Sequence, residues 1–82
     1  MDLVKLTETI VKELVEDKDS ITVKEFPSDD EDVITIEVMV PNDQMGRVIG
    51  KQGKLAKSIR TIVQASSFIN GNKKVNINID SY

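Results

Sequence analysis

The residue types with the clearest chemistry lie in one stretch, GRVIGKQGK, at residues 46–54. Gly50 and Gly53 bracket Lys51 and Gln52 in a G-x-x-G tetrapeptide. Glycine reaches backbone conformations closed to other residues and carries no side chain, so another backbone can approach such a loop closely. A helix start beside the loop would add unpaired N–H groups that favour a phosphate. The nearby cations strengthen that expectation; they are Arg47, Lys54 and Lys57.

Two better-known phosphate loops do not fit this stretch. A Walker loop needs glycine five residues before Gly53 and a hydroxyl residue after the lysine, but Val48 and Leu55 occupy those positions. A dinucleotide-binding loop needs G-x-G-x-x-G directly after a strand. We therefore expect no nucleotide cofactor. On the tetrapeptide alone, a helix corner whose glycines only turn the chain is an equally good interpretation.

The composition limits the chemistry further. The 82 residues include no Cys and no His, which removes disulfides, thiolate nucleophiles, Cys/His zinc sites and His-dependent catalysis. We therefore expect neither catalytic residues nor a metal site. The net charge is −3, but residues 1–40 hold 4 Lys against 12 Asp and Glu, whereas residues 41–82 hold 7 Lys and Arg against 2 Asp. Such asymmetry predicts one cationic face on an acidic protein.

Length and hydropathy indicate a single domain over residues 1–82. No apolar run approaches the ~20 residues that span a bilayer, and acids interrupt the apolar residues of the N-terminal segment, unlike a secretory signal. We therefore expect no membrane partner and a cytoplasmic location.

Hydrophobic periodicity places the G-x-x-G stretch between two helices of an α+β domain. Apolar residues three and four apart predict helices, and alternating β-branched residues predict strands. The predicted helices are residues 2–16, 43–49, and from after Gly53 to about Phe68. The predicted strands are residues 21–26, 33–40 and 74–80. The order α-β-β-α-α-β suits a two-layer sandwich, in which three helices cover one face of a three-stranded sheet.

Smaller features complete this prediction. Residues 27–32, PSDDED, predict a hairpin turn rather than a cation site, because they lack calcium-loop spacing. Asn42 or Asp43 is placed to cap the short helix. Gly46 is assigned no ligand, and its expected role is close packing between helices.

The run VIGKQGK, followed by Ile59 on the next helix, resembles the signature of KH domains. The predicted element order resembles the type II arrangement of that family over residues 2–80. In size and in the run GRVIGKQGKLAKSIRTIV, the chain is similar to the small stand-alone bacterial KH proteins of the KhpA type. That resemblance implies a single-stranded RNA partner, a probable RNA chaperone role linked to cell shape, and homodimers or heterodimers with a larger KH-containing protein.

Carried over by position, the resemblance implies a phosphate clamp made by Gly50, Lys51, Gln52 and Gly53. Arg47, Lys54 and Lys57 would form its cationic rim. Ile49, together with Leu55, would form an apolar floor for bases, although helix aliphatics are more often core. No aromatic residue lies in the signature, so an aromatic stacking platform is not expected.

Two other functions compete with RNA binding. A protein-interaction module would dimerise through the second helix of the pair, at Ile62 and Val63, although burial of these residues against the sheet is the commoner outcome. A small hydrolase is the weakest alternative, because His, Cys and a convincing carboxylate pair are missing.

Overall fold

The computed structural model describes residues 2–26 and 28–82. Its helices and strands follow the predicted order α-β-β-α-α-β and form the predicted α+β sandwich. The helices are α1 (Leu3–Lys12), α2 (Met45–Ile49) and α3 (Lys54–Asn70). The strands are β1 (Thr22–Phe26), β2 (Val33–Val40) and β3 (Lys74–Ser81). Within the described ranges, no helix is long and apolar enough to cross a membrane.

Helix α1 begins at an aspartate cap, because the Asp2 carboxylate accepts the N–H groups of Val4 at 3.0 Å and Lys5 at 3.2 Å. It ends at Lys12 rather than at the predicted residue 16. The following turn brings Val15 into the core. It also brings the Glu16 N–H to the side chain of Gln44, at 3.1 Å. The apolar periodicity thus continues into a turn that the pattern alone cannot distinguish from helix.

The sheet has the order β1-β2-β3, with β1 antiparallel and β3 parallel to the central strand. The crossover between the parallel strands β2 and β3 is made by α2 and α3, as a parallel connection requires. The predicted alternation is confirmed: the inward side chains meet the helices and form the core. These are Val23 of β1, Ile36, Val38 and Val40 of β2, and Ile77 and Ile79 of β3.

The hairpin turn between β1 and β2 is confirmed for residues 28–32, whereas Pro27 lies outside the described residues. The Ser28 hydroxyl accepts the N–H of Asp30 at 3.2 Å, and the Asp30 carboxylate accepts the N–H of Asp32 at 2.9 Å. The side chains of Ser28 and Asp30 therefore stabilise the turn by bonding its own backbone.

Two local predictions about the connection into α2 are wrong. Asn42 and Asp43 lie inside a 3-10 turn, Asn42–Gln44, and neither side chain caps a helix. Instead the buried Gln44 side chain ties this turn to Glu16. A Cβ built on Gly46 would have nothing within 4 Å, so this glycine does not serve close helix packing.

The free edge of β3 is fastened to α3 by polar side chains. Gln64 accepts the N–H of Val75 and donates to the carbonyl of Lys73, both at 2.9 Å. Arg60 donates through Nε to the carbonyl of Ile77 at 3.2 Å. These bonds satisfy strand groups that no further strand pairs, and they fix the spacing between α3 and the sheet edge.

Candidate nucleic-acid interface

The loop between α2 and α3 has a backbone that glycine alone adopts easily. The N–H of Gly50 bonds the carbonyl of Gly46 at 2.9 Å and closes α2, while the N–H of Gly53 bonds the carbonyl of Gly50 at 3.3 Å. Gly50 and Gly53 both have φ of 74°, and Gln52 between them has φ of 57°. The prediction that these glycines reach conformations avoided by other residues is confirmed.

Lys51 and Gln52 form the outer part of this loop. Both are exposed, and their N–H groups take no part in the hydrogen bonds of Gly50, Gly53 and Lys54 that close it. The tip therefore presents two polar side chains, one of them cationic, to solvent. Such a group of donors suits an anionic oxygen.

Helix α3 begins directly after the loop and is 17 residues long. Its N-cap is Gly53, which has no side chain to accept the first N–H groups. The N–H of Lys54 bonds the carbonyl of Lys51, and the positive end of the helix dipole lies beside the tip of the loop without a side-chain cap. A phosphate at this position would meet backbone donors from both the loop and the helix.

The three loop lysines, Lys51, Lys54 and Lys57, are exposed. Within residues 2–26 and 28–82, none of them forms a salt bridge. Arg47 differs, because its Nη2 lies 2.6 Å from Oε1 of Glu16. The predicted cationic rim is therefore present on the surface as three lysines without acidic partners and one arginine that shares its charge with a carboxylate.

The apolar residues near the loop divide into core and surface. Val48 is completely buried, whereas Ile49 is half-buried and the side chain of Leu55 packs on Gly50 while remaining 39% exposed. Ile49 and Leu55 thus keep surface beside the loop, where the predicted floor would need it. Of the predicted dimer pair, Ile62 is 49% exposed but Val63 is fully buried. Val63 is therefore a core residue, and its assignment to an interface is wrong.

A groove runs along α3 from Lys54. Its first part is lined by α3 alone, with Ile62 among the lining residues, and only its second part reaches the edge of β3. Its first part is a cavity of about 490 Å³ next to the loop, and its second part is a cavity of about 470 Å³ between α3 and β3. Both parts share Lys57 and Thr61. Further along, the groove is lined by Arg60, Gln64, Ala65, Phe68 and Val75. A positively charged entrance thus leads into a mixed apolar and polar trough.

A family model for the KH domain of KhpA and KhpB matches residues 4–79. The chain belongs to this family. The RNA-binding protein KhpA of Clostridium acetobutylicum is 43% identical over 75 residues, which are 92% of this chain and 96% of that protein. The RNA-binding protein KhpA of Aquifex aeolicus is 44% identical over 64 residues, which are 78% of this chain and 75% of that protein.

Two solved structures share the fold of this KH domain. Aquifex aeolicus Era bound to GDP and AlF4⁻ superposes with a TM-score of 0.70 at 19% identity, over 98% of this chain and 30% of that one. Era in complex with MgGDPNP and nucleotides 1506–1542 of 16S ribosomal RNA gives 0.60 at 23% identity, over 99% and 31%. At these identities the likeness establishes the fold, and the chain spans less than a third of either Era chain.

The predicted site of this KH domain lacks most of the α3 residues that line the groove. Arg60, Thr61 and Gln64 are not among the predicted site residues, although all three line the groove. A signal was present in the sequence, because Lys57, Thr61, Gln64 and Phe68 recur every three or four residues and so share one face of α3. The position of the β3 edge opposite that face could not be read from the helix itself.

Proposed function

We propose that this KH domain binds single-stranded RNA without catalysis, with the G-x-x-G loop holding the backbone and the α3–β3 groove holding the bases. One observation carries the proposal: the strained loop and the open start of α3 lie together, among lysines that have no acidic partner in the described chain. Family members named RNA-binding protein KhpA support the same partner.

The clamp would act through Gly50, Lys51, Gln52 and Gly53. The glycines permit close approach, Lys51 supplies charge, and Gln52 supplies a polar contact. Lys54 and Lys57 continue the positive charge into the groove, and Ile49 offers apolar surface beside it. KH loops of this kind clamp about four nucleotides, so one domain neutralises few phosphates and binds weakly. Weak binding to unpaired strands suits an RNA chaperone or post-transcriptional regulator in the cytoplasm.

The test is the double variant Lys51→Asp, Gln52→Asp, measured by fluorescence anisotropy with a labelled uridine octamer. Because both residues are exposed at the loop tip, we expect binding to be lost while circular dichroism and thermal melting stay unchanged. The matched control is Lys5→Asp, Thr9→Asp, which makes the same charge change on the exposed face of α1. Retained binding in the loop variant, or equal loss in the control, would contradict the proposal.

A second function is favoured by the outer face of α3. Leu55, Ile62 and Ile69 lie seven residues apart and are 39%, 49% and 84% exposed. Seven-residue spacing of apolar residues is typical of a helix that packs along a second helix. We propose that this stripe pairs with another KH domain, in a homodimer or a heterodimer with a larger KH-containing protein. Ile62 also lines the first part of the groove, so pairing through this stripe would compete with RNA at that end of the groove.

A further inference from the structure

A third cavity adjoins the groove on the other side of the β3 edge. Its volume is about 430 Å³, and it opens toward the face of the sheet that the helices leave uncovered. It is lined by Thr35, Arg60, Val75, Asn76, Ile77 and Asn78. The face itself is identified by the strand alternation, since Val75 and Ile77 point toward the helices while Asn76 and Asn78 point away.

Arg60 joins this cavity to the groove, because it lines both. Its Nε is occupied by the carbonyl of Ile77, so the guanidinium is anchored at the strand edge. The two terminal nitrogens remain as donors at the boundary between the spaces. A strand that leaves the groove over β3 would therefore pass a fixed cation and then reach the outer face.

The side-chain amides of Asn76 and Asn78 form no hydrogen bond with any group of residues 2–26 and 28–82. Asparagine is disfavoured in strands, and here two occupy alternate positions of one edge strand. Two residues along a strand correspond to about 6.6 Å. The strand thus presents two adjacent amides, each with a donor and an acceptor, beside the Thr35 hydroxyl.

Neutral amide and hydroxyl groups supply most of the polar lining of this cavity. Arg60 is the one charged residue in its lining. The carboxylate of Glu37 borders it, because Glu37 pairs in register with Asn78, and Asp80 follows two residues later on the same face. Lys24 pairs in register with Glu37, and Lys74 lies two residues before Asn76 on the same face, so charges of both signs flank the cavity. The amide and hydroxyl groups complement the polar edge of an unpaired base.

We propose that Asn76 and Asn78 form a nucleobase site on the outer face of β3, reached from the groove past Arg60. This site extends the RNA path beyond the nucleotides held by the loop and the groove. It rests on the proposed RNA binding and adds to it a contact with base edges on the uncovered sheet.

The experiment compares three labelled probes by fluorescence anisotropy: a uridine octamer and two octamers with four abasic residues at the 5′ or the 3′ end. All three carry the same phosphates, so differences report base contacts. We expect the wild-type protein to bind the full octamer about tenfold more tightly than one abasic probe. The Asn76→Ala, Asn78→Ala variant is expected to bind the full octamer and that abasic probe with equal affinity. Its affinity for the abasic probe should equal that of the wild-type protein.

The matched control is Asn42→Ala, Asn70→Ala, which removes two exposed amides away from the cavity and should keep the wild-type difference. As a second measurement, the side-chain amide NMR signals of Asn76 and Asn78 should shift with the full octamer and not with the abasic probe. The nucleobase site alone is overturned if the wild-type protein binds the full octamer and both abasic probes with equal affinity. It is also overturned if the Asn76→Ala, Asn78→Ala variant keeps the wild-type difference in affinity between the probes. Failure of the wild-type protein to bind any probe overturns the proposed RNA binding as well.

Discussion

Leu55 occupies the space into which a side chain on Gly50 would project. A Cβ built on Gly50 would lie 2.7 Å from Cγ and 3.0 Å from Cβ of Leu55, both closer than van der Waals contact allows. Gly50 also has φ of 74° with ψ of 179°, a region that belongs almost entirely to glycine. The first residue of the clamp is therefore held by its own backbone and by the first turn of α3.

The two glycines of the loop should differ in their tolerance of alanine. Gly50→Ala adds a clash to a strained backbone and should destabilise the fold by about 2–4 kcal/mol. Gly53→Ala meets nothing within 4 Å and has left-handed helical angles, so its cost should be about 1–2 kcal/mol. Urea unfolding followed by circular dichroism measures both. Equal losses would show that Leu55 moves aside freely.

The ion pair between Arg47 and Glu16 should restrain RNA binding. Both side chains are more than half exposed, so the pair contributes less than about 1 kcal/mol to folding. Glu16→Gln releases Arg47 to the cationic rim and should raise the affinity for a uridine octamer by about two- to fivefold, because an arginine with no acidic partner attracts phosphate.

The control for that prediction is Glu13→Gln, which makes the same charge change at a carboxylate paired with Lys18 instead. Anisotropy titrations of the two variants separate the release of Arg47 from a change in net charge. An equal gain in both variants would mean that the Arg47 pair has no specific effect.

The sequence determined the strands well because their signal is local. The run VITIEVMV alternates without interruption, and the strand occupies the predicted residues, Val33–Val40. The end of α1 was missed because Val15 continues the apolar periodicity after the chain has left the helix. In both cases the pattern shows which residues are buried. Strict alternation also identifies a strand, whereas one more apolar residue at helical spacing does not distinguish a helix from the turn that follows it.

The backbone conformation of the loop was also predictable, whereas the contact between α3 and the edge of β3 was not. The residue type of Gly50 and Gly53 predicts an unusual backbone conformation, and both have a positive φ in the structure. The role of Arg60 depends on the carbonyl of Ile77, 17 residues away in sequence. A contact of this kind depends on how α3 packs on β3, and that packing cannot be predicted from residue types and spacing along the helix alone.

The salt dependence of RNA binding should report a small number of phosphates. If two or three are neutralised by the loop lysines, the logarithm of the affinity should fall against the logarithm of salt with a slope of about −1.5 to −2. Lys57→Gln should make that slope shallower by about 0.7, the contribution of one contact to a single strand. Titrations at several KCl concentrations measure it.

Lys24→Gln is the control for that measurement, since Lys24 is exposed on β1, the strand at the far side of the sheet. It removes the same charge and should leave the slope unchanged. A slope near zero for the wild-type protein would contradict phosphate clamping.

Aspartate at Ile62 and at Val63 should have opposite consequences. Val63 is fully buried in the core, so Val63→Asp buries a charge without a partner and should unfold the domain. Ile62→Asp places the charge on the exposed stripe of α3, where it should cost less than about 1 kcal/mol of stability. Circular dichroism and thermal melting distinguish the two outcomes.

The same Ile62→Asp variant tests pairing through α3. Sedimentation velocity of the wild-type protein should show a dimer at high concentration, and Ile62→Asp should sediment as a monomer, because a charge opposite an apolar stripe on the partner is left desolvated. Thr9→Asp adds a charge on the exposed face of α1 and should leave the dimer intact. The proposed pairing is contradicted if the wild-type protein stays monomeric at high concentration. It is also contradicted if the Ile62→Asp variant still forms the dimer.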